Sequence, residues 1–131
     1  MKNRILSISY DKSLLATRQM ILQSAGYEVT SALGLAEALT ICKARHDFDL
    51  LLMGHSIPQK DKIELFNALR PHCQAPLLSI LRSGEAPISQ AEYAVDAQDG
   101  PEALLAAVRM ALTRSSRNGK FGDHERSQNR L

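Results

Sequence analysis

The residues best placed for chemistry in this chain are Gly54 and His55, which follow the apolar run Leu50–Met53. Four large apolar residues, with Asp49 before them and a Gly/Pro loop after them, are typical of a strand buried on both faces of a parallel sheet. In such sheets binding and catalysis occur just beyond the carboxyl ends of the strands. No carboxylate stands at this end, so an acyl-phosphate or metal site here has lost its central oxygen ligand.

No other catalytic motif is visible in the sequence. There is no Ser/His/Asp constellation, no HExxH motif, no paired-cysteine motif and no glycine-rich phosphate loop. Cys42 and Cys73 lack metal-ligand spacing and are expected to be reduced thiols, one on a helix and one in a loop. We therefore predict that the protein is not an enzyme and has neither a cofactor nor a metal site.

The elements that position Gly54 are indicated by hydrophobic periodicity. Strand-like runs alternate with helical stripes, which implies a parallel sheet with right-handed crossovers and helices on both faces. The predicted strands are residues 4–9, 27–31, 49–54, 76–81 and 92–96. The predicted helices start at Asp11 or Ser13, near Leu35, at Lys60 and at Pro101, and the third has Ile63, Phe66 and Leu69 as its apolar face.

Charge divides the chain into two parts. The net charge of the 131 residues is +2, but residues 1–112 carry 11 basic and 12 acidic side chains. The remaining residues carry five basic and two acidic side chains in a Ser-, Asn- and Gly-containing segment. Such a segment buries too little apolar surface to order itself. We expect a domain over residues 1–113 and a flexible polar, basic tail over residues 114–131; without a signal region, the protein is expected to be cytoplasmic.

Five segments together resemble the receiver domain of two-component response regulators, and the match covers nearly all of residues 4–112. The matching pieces are residues 4–32, residues 37–39, Asp49–Met53 followed by Pro58, residues 75–78, and residues 101–105. The resemblance implies an α/β fold: a doubly wound, five-stranded parallel sheet of the flavodoxin-like receiver type.

The functional residues of receivers are mostly missing at the matching positions. The acidic pair that holds a divalent cation matches Ser9 and Tyr10, and the phosphoacceptor aspartate matches Gly54. The switch hydroxyl matches Leu81, and the conserved lysine of receivers matches Asp96 or Ala97. The resemblance therefore indicates a degenerate receiver, or pseudo-receiver, that lacks the phosphoacceptor.

The partner-binding side of the receiver type is also altered. Tyr93 matches the aromatic residue that responds to phosphorylation in receivers. The connection over residues 82–92 is about seven residues shorter than the resemblance predicts, or two helical turns. We expect a shortened fourth helix, reduced to a turn or a short 3₁₀ segment.

These observations predict a single-domain pseudo-receiver that acts as a phosphorylation-independent interaction module in phosphorelay signalling. Its partner would be a histidine kinase, another receiver or a second copy of itself, and neither membrane binding nor nucleic-acid binding is expected. Two alternatives stay open. One is an adaptor that binds nucleic acid or membrane through the basic tail. The other is a small-molecule sensor that uses the vacated pocket around Gly54.

Overall fold

The computed structural model describes the backbone of residues 2–129 and the side chains of residues 2–114. Strands and helices alternate along the chain as the periodicity predicts. The elements are β1 (Arg4–Ser9), α1 (Lys12–Ser24), β2 (Glu28–Leu33), α2 (Gly34–Ala44), β3 (Leu50–Met53), α3 (Gln59–Leu69), β4 (Leu77–Leu81), β5 (Tyr93–Asp96), a 3₁₀ turn (Ala97–Asp99) and α4 (Gly100–Asn129). Within the described part of the chain, none of the helices combines the length and apolar composition that crossing a bilayer requires.

The five strands form one parallel sheet in the order β2-β1-β3-β4-β5, and the predicted doubly wound fold is confirmed. Alternate side chains of the central strands enter two separate cores. Leu51 and Met53 of β3 pack under α2 and α3, whereas Leu50 and Leu52 pack under α1 and α4. Because every strand is parallel, all five carboxyl ends lie along one edge.

The connection between β4 and β5 contains no helix. Residues 82–92 form turns and extended segments, so the predicted loss of the fourth helix is confirmed. Ile88 is buried in the core that α2 and α3 cover, where it supplies apolar surface from within the connection.

The inward face of α3 differs from the sequence-based expectation. The buried face of α3 consists of Lys62, Leu65 and Leu69, while Ile63 and Phe66 pack only at the margin of the core. The periodicity gave the right helix with its inward face rotated by about one residue, because a lysine occupies a core position. The backbone of α4 runs to Asn129, past the predicted domain boundary at residue 113, and the predicted division into domain and tail stays a prediction.

Candidate functional site

The carboxyl edge of the sheet brings together most of the positions singled out in the sequence. Ile8 pairs with Met53, so Ser9 at the end of β1 and Tyr10 just after it lie beside Gly54. Leu81 pairs with Asp96 at the ends of β4 and β5, and Ala97 follows directly in the 3₁₀ turn.

Tyr93 lies apart from this edge. It is the first residue of β5, opposite Leu78, and it packs half-buried against the core under α1 and α4. Asp49 also lies at the far end of the sheet, where its carboxylate accepts a hydrogen bond from the Arg4 backbone N–H at 2.8 Å.

The end of β1 is a network of hydroxyl groups. The hydroxyl groups of Ser9 and Ser56 share a hydrogen bond of 2.8 Å, and the Ser9 hydroxyl accepts from the Asp11 N–H at 3.0 Å. The Tyr10 hydroxyl donates to Asp61 at 2.9 Å. Burial, together with Asp61, raises the pKa of Tyr10 to about 12, so this group stays a neutral donor. The network joins β1 to the β3–α3 loop and supplies no anionic ligand from residues 9 and 10.

The space beside Gly54 is filled by the guanidinium group of Arg18, which comes from α1. A Cβ atom at residue 54 would lie 2.5 Å from Arg18 Nη1 and 3.3 Å from Arg18 Cζ. Real Cβ atoms essentially never approach another atom that closely. The pocket around Gly54 that a small-molecule sensor was expected to use therefore contains an arginine.

Arg18 is a buried cation with few partners. Only 7% of the residue is exposed. Its Nη2 donates to His55 Nδ1 at 2.9 Å, whereas Nη1 has no hydrogen-bond partner. Among the side chains that the structure describes, no carboxylate lies within ion-pair distance of Arg18. Burial lowers the pKa of Arg18, and the more distant charge of Asp11 only partly opposes this effect.

His55 is held neutral by its surroundings. Burial lowers its pKa first, and the positive charges of Arg18, Arg82 and Lys62 lower it further, against a smaller opposing effect of Asp11. A neutral imidazole accepts at Nδ1 from Arg18 and carries its proton at Nε2. The potential around Gly54 is therefore positive, the opposite of what a cation site needs.

A second buried cation, Lys62 of α3, reaches the end of β4. Its ammonium group donates to Ser79 Oγ at 2.9 Å, to the Ile80 carbonyl oxygen at 2.8 Å and to Glu85 Oε2 at 2.9 Å. All three protons are used, which allows a fully buried lysine to stay charged. Burial nevertheless lowers the pKa of Lys62, and Glu85 offsets part of the shift.

The β4–β5 connection is tied across the site by charged groups. Arg82 donates through Nε to the His55 carbonyl oxygen at 2.6 Å and through Nη2 to the Ser56 carbonyl oxygen at 3.1 Å. Glu85 accepts from the Arg82 backbone N–H at 2.9 Å while it pairs with Lys62. These contacts fix the connection above the β3–α3 loop without a helix.

The residues at this edge do not fit the divalent cation that the receiver type implies. Ser9 and Tyr10 provide no carboxylate, Gly54 provides no side chain, and the Arg18 guanidinium already places a positive charge there. Across the described residues, no three His, Cys, Asp or Glu side chains converge as a metal-binding group would require. Mg²⁺ prefers anionic oxygen ligands, so a site with this charge disfavours it.

Arg18 and Lys62 are residues of this edge that the sequence patterns did not indicate. Both lie within apolar stripes: Arg18 is three residues after Leu15 and four before Leu22, and these three residues form the buried face of α1. A basic residue at a core position of a helical stripe was the available signal, but long basic side chains on helices usually reach solvent.

Comparison with solved structures identifies the architecture. A CheY-like response regulator receiver domain protein from Methanospirillum hungatei JF-1 is 24% identical, with a TM-score of 0.74 over 90% of this chain and 99% of that chain. The chemotaxis protein CheY4 of Vibrio cholerae is 23% identical, with a TM-score of 0.72 over 86% and 100% of the two chains. The chain has the receiver fold.

The receiver domain of the hybrid histidine kinase CckA is a further neighbour, 24% identical with a TM-score of 0.71 over 84% of this chain and 99% of that chain. No protein-family model matches the chain, and no curated protein matches it. The receiver fold is therefore established by structure.

Proposed function

We propose that this protein is a pseudo-receiver that acts in two-component signal transduction as a phosphorylation-independent protein-interaction module. The observation that carries the proposal is the position of Arg18. Its guanidinium fills the space that a side chain at residue 54 would need, 2.5 Å from the Cβ position. The fold is that of signalling receivers. At the carboxyl edge of the sheet, Arg18 fills the space beside Gly54 and places a positive charge there.

The chemistry of phosphoryl transfer explains why this edge suits a module without phosphorylation. An acyl phosphate needs a carboxylate nucleophile and a cation that neutralises the transferred group. Gly54 cannot supply the first, and Ser9 and Tyr10 do not hold the second. Arg18 supplies a permanent positive charge in their place.

Incubation with acetyl phosphate and Mg²⁺ tests this part of the proposal. Intact-protein mass spectrometry should detect no phosphoryl adduct, while a receiver that retains its acidic pair and its aspartate, treated in parallel, should gain one. An adduct on this protein, whether on His55 or on a carboxylate, would overturn the proposed independence from phosphorylation.

The surface we favour for the partner combines α4 with the β4–β5 connection. Arg109 and Met110 are exposed on α4, and Met110 has 53% of its surface accessible. Hydrogen bonds from Lys62 and Arg82 tie the connection to the edge of the sheet, so its exposed residues are held in place for a partner. The partner would be another protein of the pathway, such as a histidine kinase or a second receiver.

Binding to a purified histidine kinase from the same cells, measured by calorimetry, tests this surface. Arg109→Glu and Met110→Glu are expected to weaken binding about tenfold or more, since a charge would enter an apolar and basic interface. Met20→Glu is the matched control, because Met20 is exposed on α1 outside this surface. If all three variants bound the kinase equally well, α4 would not be part of the interface.

A further inference from the structure

A cleft lies next to Arg18, between α1 and the start of α4. Its volume is about 170 Å³, and its walls are mainly apolar. The apolar lining residues include Leu14, Ile21, Ile80, Val95, Ala97 and Leu104. An apolar cavity of roughly 150 Å³ is large enough to hold a benzene molecule. The cleft therefore fits an apolar body of about that size.

The cleft has a positively charged wall on the side of Gly54. Arg18 and His55 both line it. Arg18 is more than nine-tenths buried, and among the described side chains no carboxylate pairs with it. Its Nη1 faces Gly54 and is shielded from the cleft, so a ligand can meet only the part of the guanidinium that lines the cleft. A carboxylate placed there would neutralise the buried charge through a charge-assisted hydrogen bond.

The neighbouring titratable groups restrict the charge of such a ligand. His55 is neutral and adds a donor at Nε2 rather than a second cation. Asp96 also lines the cleft, where its carboxylate caps the Gln98 N–H at 3.3 Å. One buried cation and one nearby carboxylate favour a monoanion over a dianion such as a phosphate monoester.

We propose that this cleft binds a small monocarboxylate whose apolar body is about the size of a benzene ring. The carboxylate pairs with Arg18, and the apolar body contacts Leu14, Ile80 and Leu104. Such binding is independent of the proposed protein-interaction role, since it uses the α1 side of the edge and not the exposed face of α4.

The inference can be tested by titrating the full chain with benzoate and monitoring the backbone amide chemical shifts by NMR. Benzyl alcohol, benzylamine and inorganic phosphate serve as the comparison ligands. We expect benzoate to perturb the amides of residues 14–21, 55 and 95–104, and to bind about tenfold or more tightly than benzyl alcohol, because a charge-assisted hydrogen bond is lost with the alcohol. Equal affinity for both, tighter binding of benzylamine through Asp96, or preference for phosphate would overturn the proposal.

Two variants separate the anchor from the cleft. Arg18→Met should reduce benzoate affinity about tenfold or more while leaving benzyl alcohol binding nearly unchanged. Ala97→Phe should reduce binding of both ligands because the larger side chain fills the cleft. This second variant tests the cleft even if Arg18→Met does not fold. Lys12→Met, an exposed basic residue of the same helix, is the matched control and should bind benzoate as the wild type does. Unchanged benzoate binding in folded Arg18→Met or in Ala97→Phe would show that this is not the site.

Discussion

Residue 54 and Arg18 compete for one volume, so the effect of a change at either depends on the other. We expect Gly54→Ala to destabilise the protein by about 1 kcal/mol, the low end of the cost of overpacking, because the new Cβ meets the far end of the flexible Arg18 side chain, which can move aside. In the background of Arg18→Ala the same change should cost less. Urea denaturation of the double-mutant cycle should give a coupling of about 0.5–1 kcal/mol.

Additivity of the two substitutions would contradict this picture, since it would mean that the guanidinium does not occupy the space beside Gly54. Gly26→Ala is not a suitable control because Gly26 has a positive φ of 98°. Ala16→Ser, at an exposed position of α1, provides one.

Lys62 should be the costliest single position to change at this edge. Lys62→Met leaves Glu85 and the Ser79 hydroxyl without their donor, and we expect a loss of about 2–4 kcal/mol. This expected loss of stability is at or slightly below the usual cost of breaking a buried ion pair, because Glu85 can regain some contact with water. Adding Glu85→Gln should recover part of the loss. Lys60→Met, on the exposed side of α3, should have little effect in the same denaturation experiment.

At the residue level, the sequence shows directly that Ser9, Tyr10 and Gly54 carry no carboxylate. That these residues stand at the functional positions of a receiver stays a prediction. The two cations that fill the edge could not be predicted, because their role depends on which side of a helix faces the sheet and on how far a flexible side chain extends. Periodicity fixes helical faces only to within about a residue, as α3 demonstrates.

The β4–β5 connection is the element that departs most from an ordinary strand–helix–strand unit. Its core contact is Ile88, which is 4% exposed. Ile88→Ala should cost about 2–4 kcal/mol through lost burial and the cavity left behind. The backbone amide hydrogens of the connection should exchange with solvent faster than those of β1 and β3. An Ile88→Ala variant with wild-type stability would show that this connection does not depend on its core contact.

Acid should loosen the same connection. Burial acts to raise the pKa of Glu85, but the Arg82 N–H and the Lys62 ammonium outweigh it, so the pKa lies below its usual value. The folded state therefore binds fewer protons than the unfolded state. The stabilisation is fully present above the ordinary carboxyl pKa and is lost as the pH falls through the lowered value.

Unfolding free energies of the wild type and Glu85→Gln, measured across this acidic range, should converge as the pH decreases. A constant difference between the two proteins over the whole range would exclude Glu85 as the titrating group.

The order of the elements was predictable from the sequence because apolar residues recur with one period in strands and another in helices. The predicted strands 4–9 and 76–81 correspond to β1 (Arg4–Ser9) and β4 (Leu77–Leu81) within one residue. The missing fourth helix was also predictable, since Gly84, Pro87 and the short spacing disfavour it. Strand β2 extends to Leu33, beyond the predicted residue 31, because its pairing with Ser9 of β1 continues the ladder.

For the whole molecule, the division between a nearly neutral domain and a basic segment stays a prediction. The last described core residue is Leu112. Deletion of residues 114–131 should leave the melting temperature and the sheet amide spectrum of the remaining protein unchanged. If the segment instead mediates binding to DNA or anionic vesicles, the deletion should abolish a salt-sensitive interaction of the full chain. A truncated protein that no longer folds would move the domain boundary beyond residue 113.

The competition between Arg18 and a side chain at residue 54 also limits the evolutionary paths open to this sequence. A mutation that placed a longer side chain at position 54 would require the flexible end of Arg18 to move aside, and one that removed the guanidinium first would leave a hole beside bare backbone. The tolerance of each position to substitution is therefore expected to depend on which residue occupies the other.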